Sequence, residues 1–197
     1  MSPKSATQPF GDIVQEGHPT LRGIAAPVTK DEFGTSKLQS IVDKMKAELD
    51  SQDDGVAIAA PQIDVAKRIF LISKRAFRHQ RLIKAREKTG NKDKDAIVAM
   101  TEKPDADLVC INPTIIKVSK EQRWSAEGCL SVRYKYGKAL RHTRATIKAQ
   151  DINGNWYTLG ASGLLAQIFQ HECDHLEGIL FTDHAKDVED IPPEETE

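Results

Sequence analysis

Hydrophobic positions recur along this chain with two different periods. From Lys37 to Asp50, Leu38, Ile41, Val42, Met45 and Leu49 fall at helical spacing while Lys and Glu fill the other face, which predicts an amphipathic helix. Asp53-Asp54-Gly55 breaks that period, and the small apolar run Val56-Ala57-Ile58-Ala59-Ala60 before Pro61 suits a strand or a close-packed loop. Arg68 to Ser73 reads as a buried strand, and Asp107 to Val118 as another, bent at Pro113. Arg144 to Gln150 and Trp156 to Leu159 flank Asp151-Ile152-Asn153-Gly154-Asn155, a hairpin signal because Asn-Gly accommodates positive φ, so the sheet is expected to be partly antiparallel. Ser162 stands where a helix N-cap belongs, and Leu164, Leu165, Ile168, Phe169, His171, Glu172, His175 and Leu176 continue on a helical period to Gly178, a natural stop.

Two segments fall outside these patterns. Lys74 to Ala106 is long and polar, an insertion rather than a domain, with a short helix expected at Arg78 to Lys88, turn chemistry from Thr89 to Asp93 and loop from Thr101 to Asp107. Its first part, Lys74 to Lys94, holds nine Lys or Arg, the one marked charge bias in the chain. Such a bias reads as a solvated surface or as transient contact with ribosomal RNA, because exposed cations bind phosphate in a salt-dependent way. The tail from Lys186 to Glu197 is acidic, contains Pro192-Pro193, and is expected to fray rather than pack.

Composition narrows the class without naming a function. The 197 residues match one ordinary domain, and 28 Lys and Arg against 29 Asp and Glu leave no overall field that would announce sequence-specific nucleic-acid binding. Apolar content of 39% is globular, and no apolar run is long enough to span a membrane. The first residues lack the apolar segment of a signal peptide and the Arg-rich character of a transit peptide, so a cytoplasmic location is expected over an organellar one. Three cysteines, Cys110, Cys129 and Cys173, are too few and too odd for a disulfide framework, and point to a reducing compartment in which one of them can serve as a ligand or nucleophile.

The chemistry concentrates in His171-Glu172-Cys173-Asp174-His175, an H-E-x-x-H pattern within the second helix. Residues four apart share a helix face, so both imidazoles can reach one metal ion, with Glu172 beside it to take a proton from a metal-activated water. The pattern alone also fits two ordinary histidines on a core or surface helix. A metal would need a third ligand, which the familiar zinc peptidases take from downstream, where only Glu177, Asp183, His184 and the acidic tail lie. Upstream stands Glu127-Gly128-Cys129-Leu130-Ser131, whose cysteine could complete a Cys-His-His set with one open position, as catalytic sites require. An isolated cysteine is more often buried filler. Cys173, two positions beyond His171, and Cys110, within a strand, keep that plainer reading, and His18, His79, His142 and His184 lack ligand spacing.

Three blocks in order make the chain similar to the peptide deformylase family: Gly55-Val56-Ala57-Ile58-Ala59-Ala60-Pro61-Gln62, Glu127-Gly128-Cys129-Leu130-Ser131, and Gln170-His171-Glu172-Cys173-Asp174-His175-Leu176-Glu177-Gly178. Flanking likenesses at Gly17 to Arg22, Ile111-Asn112-Pro113 and Asp151 to Gly154 extend the resemblance over most of the chain. It implies one catalytic domain over residues 1–197, an α+β fold with mixed, mainly antiparallel sheets around a central H-E-x-x-H helix. It implies a divalent metal on Cys129, His171 and His175, natively Fe2+, with Ni2+, Co2+ or Zn2+ as substitutes. Glu172 would be general base and acid, the Gln62 amide and the Leu130 N–H would stabilise the oxyanion, and Gly55, Val56, Ala57, Ile58 and Gly128 would line the substrate groove. The implied reaction removes the formyl group from the N-terminal formylmethionine of nascent polypeptides, its partners in the cell. Glu127 and Arg141 would form a pair that steadies the cysteine loop, or pair at the surface. One departure stands out: the family has Gly where this chain has Ala57, and the added methyl is expected to narrow the groove or shift its loop. The rival readings are a metallopeptidase with a downstream third ligand, and a catalytically silent binding module that kept the fold.

Overall fold

The computed structural model describes residues 11–89 and 106–192, with the side chains of 84–89 left aside. The first helix, α1, runs Ser36–Asp50 and buries Leu38, Val42, Met45 and Leu49, the stripe set by the heptad-like spacing of its apolar positions. The Thr35 side chain accepts the Leu38 N–H at its start. At its end the Arg75 guanidinium donates to the carbonyls of Leu49 (2.6 Å) and Gln52 (2.9 Å), groups a helix terminus otherwise leaves without partners.

The short strand β1 (Ala57–Ala59) opens a five-stranded sheet with β2 (Ile69–Ile72), β3 (Leu108–Val118), β6 (Arg144–Gln150) and β7 (Trp156–Ser162), hydrogen-bonded in the order β1-β2-β3-β6-β7. Every pairing in it is antiparallel. Alternation explains why β2 reads as unbroken apolar sequence: Phe70 and Ile72 face one core cluster, Ile69 and Leu71 the other. One cluster lies between the sheet and helix α3 (Leu164–Leu176), the other between the sheet and α1. The expected bend in β3 is present, with a register shift between Ile111 and Thr114 and Asn112 in the left-handed region at φ 50°. The Asn112 side chain offsets that strain by accepting the Val28 N–H (2.8 Å) and donating to the Val28 carbonyl (2.9 Å).

A second, three-stranded antiparallel sheet joins β4 (Gln122–Cys129), β5 (Val132–His142) and β8 (Lys186–Asp190) in that order. None of these strands is evident from the apolar pattern, because much of this sheet faces solvent: Trp124 and Leu140, directly opposite each other, are both exposed. The expectation of a frayed tail is corrected for residues 186–190, which form an edge strand held to β5 by backbone pairing that needs no apolar side chains. Residues 193–197 lie outside the described part.

Two other expectations change. The basic segment forms a longer helix, α2 (Lys74–Thr89), packed against α3; the turn and loop expected over 90–105 lie outside the described residues. Ser162 is not an N-cap but the last residue of β7, paired with Arg144. The cap position falls to Gly163, whose φ of 59° turns the chain between strand and helix, while the Gln80 side chain of α2 accepts the Leu165 N–H (3.4 Å). At the other end Gly178, at φ 73°, passes so close to the Arg22 backbone that a Cβ would sit 2.6 Å from its carbonyl oxygen.

Because Phe70 is fully buried between the sheet and α3, Phe70→Ala is expected to lower unfolding stability by ~3–5 kcal/mol in urea titration, the range for emptying an aromatic site. A loss below ~1 kcal/mol would contradict the two-sided packing of β2.

Candidate metal centre

The end of β4, the middle of α3 and the turn after β1 converge on one cleft. Strand β4 delivers Glu127, Gly128 and Cys129, α3 delivers His171, Glu172 and His175, and a short helical turn at Ala60–Ile63 delivers Gln62. The Cys129 sulfur and one nitrogen from each of His171 and His175 all lie within 4.8 Å of one another. Cys129 Sγ is 3.2 Å from His175 Nε2. The imidazoles meet edge to face, with ring centroids 5.0 Å apart.

Each donor is oriented by a neighbour. The Ser131 N–H (3.4 Å) and the Gln62 amide (3.6 Å) both donate to Cys129 Sγ. His171 Nδ1 lies 3.1 Å from Glu127 Oε2, which fixes that nitrogen as the protonated one and leaves Nε2 as the lone-pair donor. Gln62 Oε1 accepts the Ala59 N–H at 2.8 Å, so its amide nitrogen is the end that faces Cys129 and the Ser131 hydroxyl, 3.1 Å away.

Glu127 is the hub of these contacts. Arg141 grips it with a fork of hydrogen bonds (2.7 and 3.0 Å) and reaches Asp174 with a third nitrogen (2.6 Å). Gln167 donates to the same carboxylate (3.2 Å). Both members of the pair are buried, so the surface-pair alternative does not hold. Burial opposes ionisation of Glu127, yet His171 and Arg141 outweigh it and hold the carboxyl down to about 2. Removing one partner of a buried pair of this kind costs ~3–5 kcal/mol, more than any surface ion pair in the molecule contributes.

Glu172 sits in the opposite situation. It is buried, one oxygen has no hydrogen-bond partner among the described residues, and burial pushes its carboxyl up to about 7, with His171 working against the shift. Burial also depresses His175 well below the usual imidazole range, assisted by charge on His171. His171 titrates well above that range despite burial, because Cys129 and Glu127 both favour its protonated form. The buried Nδ1 of His175 has no partner among the described residues either.

A thiol and two imidazoles converging from a β-strand and a helix, with a fourth side open to a cavity, match a three-ligand catalytic site for a divalent cation. Downstream alternatives are engaged elsewhere: Glu177 pairs with Arg68 (2.8 Å) and Asp183 with Arg22 (2.5 Å). That arrangement removes the ground for a metallopeptidase reading with a downstream third ligand.

The cavity measures about 330 Å³ and includes Gly55, Val56, Ala57, Gln62, Gly128, Cys129, Leu130, His171 and Glu172 among its lining residues. Ile58 is the exception among the expected groove residues. It alternates to the far face of β1, where its side chain is fully buried against α1, so it does not line the cavity. The Ala57 methyl turns into the cluster beneath α3 and Ala57 pairs regularly with Ile72, so β1 keeps its register without a glycine there. At Gly128 a Cβ would stand 2.7 Å from a Tyr136 ring carbon, so a larger residue there would push that ring aside.

The remaining cysteines and histidines lie apart from the donors. Cys173 packs against the core with its thiol pushed up by burial to about 12; Cys110 is buried beside the Tyr157 hydroxyl at 3.0 Å and shifted upward for the same reason. His18 caps a short helical turn, and His142 contacts the Ser119 carbonyl. Sequence reasoning missed Asp174, Gln167 and Ser131 as supporting residues. For Asp174 a signal existed, since it is three positions after His171 and so neighbours it on the helix surface.

Comparison with known proteins agrees with this geometry. The sequence model described as polypeptide deformylase matches residues 11–190. Peptide deformylase of Streptococcus mutans is 37% identical over 88% of this chain and 84% of its own length. That of Acidobacterium capsulatum is 34% identical over 86% and 82%. The crystal structure of class I type b peptide deformylase from Acinetobacter baumannii with Met-Ala-Ser bound superposes with a TM-score of 0.69 at 30% identity, covering 87% of this chain and 97% of that one. With the match spanning nearly all described residues, the chain belongs to the polypeptide deformylase family, hydrolases that remove the N-terminal formyl group from nascent peptides.

Proposed function

We propose that this protein hydrolyses the formamide bond of N-terminal formylmethionine with the aid of one divalent cation held by Cys129, His171 and His175. The observation that carries the reading is the convergence of those three donors beside a buried carboxyl with one unpartnered oxygen. Iron(II) is the proposed native metal, with nickel, cobalt or zinc as substitutes, on the family resemblance; a soft thiolate beside two imidazoles accepts all of these ions, and the open position suits chemistry rather than structure. When bound, the cation polarises a water and the formyl oxygen and makes the nucleophile available near neutral pH.

The protein's own groups supply the rest. Glu172 takes the proton released as water attacks the formyl carbon; its pKa, raised by burial to about 7, suits it to give that proton back near neutral pH. The C–N bond then breaks, the amine leaves with the proton from Glu172, and formate is the second product. Gln62, pinned through Oε1 by Ala59, keeps its amide nitrogen preorganised toward the cavity, where it and the Leu130 N–H stabilise the negative charge that develops on the formyl oxygen. The methionine side chain is assigned to the apolar wall formed by Val56, Leu164 and Ile168. Contact with the ribosome is a further proposal, resting only on the basic character of α2, where Arg78 is exposed.

Formate release from formyl-Met-Ala-Ser by protein prepared anaerobically with iron(II) is the direct test. Glu172→Gln is expected to lower kcat ~10²–10⁴-fold while metal content, measured by elemental analysis, stays unchanged; undiminished release would remove Glu172 from the mechanism. Cys129→Ser is expected to lose bound metal and activity together. A variant that keeps stoichiometric metal and full turnover would show that the sulfur is not a ligand.

A further inference from the structure

Five consecutive residues of β5, Val132 to Tyr136, line the cavity, whereas a regular strand offers a cavity only every second side chain. The cause is a wide break in register. Cys129 pairs with Val132 and Gly128 with Tyr136, so residues 133–135 have no counterpart on β4, and Tyr134 takes the left-handed conformation at φ 64°. A bulky residue in that region is an outlier that only surrounding structure sustains. Strand β8 provides the support: the Ile191 N–H donates to the Tyr134 carbonyl (2.6 Å), and Lys135 pairs with Asp190 in the sheet.

The bulge does not present spare charge. Arg133 is bound to Gln52 and lies 3.5 Å from Asp54, across the mouth of the cleft, and Lys135 pairs with Glu16 at 2.8 Å. What it presents is ring surface. Tyr134 and Tyr136 are 37% and 43% exposed, and the Tyr136 ring packs close to Gly128, within 2.7 Å of where a Cβ would stand. The Tyr136 hydroxyl has no hydrogen-bond partner among the described residues. Both tyrosines line the same cavity as the metal donors Cys129 and His171, and so do Gly55, Val56 and the first residue of the edge strand β1, Ala57. With the methionine side chain assigned to Val56, Leu164 and Ile168, the tyrosines are the ring surface left in the lining for the next residue.

We propose that Tyr134 and Tyr136 form a subsite for a flat, apolar side chain carried by the residue that follows the methionine. The proposal rests on the deformylase reading for the direction in which the peptide lies. Ring-on-ring contact and the covering of exposed apolar surface supply the selectivity, while the bulge holds both rings on the cavity side.

Calorimetric binding of the unformylated peptides Met-Ala-Ser and Met-Phe-Ser to the metal-loaded protein tests it without turnover. The wild type is expected to bind Met-Phe-Ser about fivefold or more tightly than Met-Ala-Ser. That ratio should fall to near one in Tyr136→Ala and in Tyr134→Ala, and survive in Tyr136→Phe, with thermal melting confirming that each variant is folded. Equal affinities in the wild type, binding of neither peptide, or a ratio that survives both alanine variants overturns the subsite. Formate release from formyl-Met-Ala-Ser reads the underlying reaction separately, so an active enzyme with no ring preference refutes the subsite alone.

Discussion

A single buried carboxylate, Glu127, ties the cleft together. It sits on β4, is gripped by Arg141 from β5, and bonds to His171 and Gln167 on α3, so two strands and a helix share one ionic centre. An ionised carboxylate away from water is tolerable only when its lone pairs are filled, and here they are. Each bond that satisfies it also sets a direction. The fork from Arg141 fixes the β4–β5 pair ahead of Cys129, and the bond to His171 chooses which imidazole nitrogen faces the cavity. The same guanidinium reaches Asp174, which pins the third turn of α3 against the small sheet. The network continues outward through His184, 3.4 Å from Asp174.

Against this satisfied centre, the groups left unsatisfied mark where the chemistry belongs. Glu172 and His175 lie within a helix turn of His171, are equally buried, and each keeps a polar atom without a partner among the described residues. Buried polar groups are rarely left so in folded proteins. Two buried carboxylates thus take opposite states: Glu127 held ionised by cations, Glu172 lifted toward neutrality by burial. That separation of roles, one to orient and one to exchange protons, follows from their surroundings and not from the residue type.

The small sheet links the site to the end of the chain. β8 is built mostly from charged residues and buries almost nothing, yet it closes the outer edge of β5 and holds the bulge that lines part of the cavity. Another part of the lining comes from β1, the free edge of the large sheet, positioned by α1 and β2 through the apolar cluster around Ile58 and Leu71. Cavity width therefore depends on two sheets meeting over α3, with Arg133 bridging them through Gln52 and Asp54.

Much of this was readable from residue order. Helical spacing located α1 and α3, apolar runs located β1, β2 and β3, the Asn-Gly turn located the β6–β7 hairpin, and the i, i+4 histidines named two donors, because each of these signals is local and set by backbone geometry or by the chemistry of a side chain, while the third donor, Cys129, came from the family resemblance. Non-local pairing carried the rest. β4, β5 and β8 exist because backbones pair across the sheet, which leaves no apolar period; Gly163 displaced Ser162 as the cap because a strand ends there; and Ile58 left the groove because the pleat turned it toward α1. Whether Glu127 and Arg141 meet in the interior, and whether Tyr134 and Tyr136 share a cavity with the metal donors, are matters of distance between segments far apart in the chain, and only folding brings those segments together.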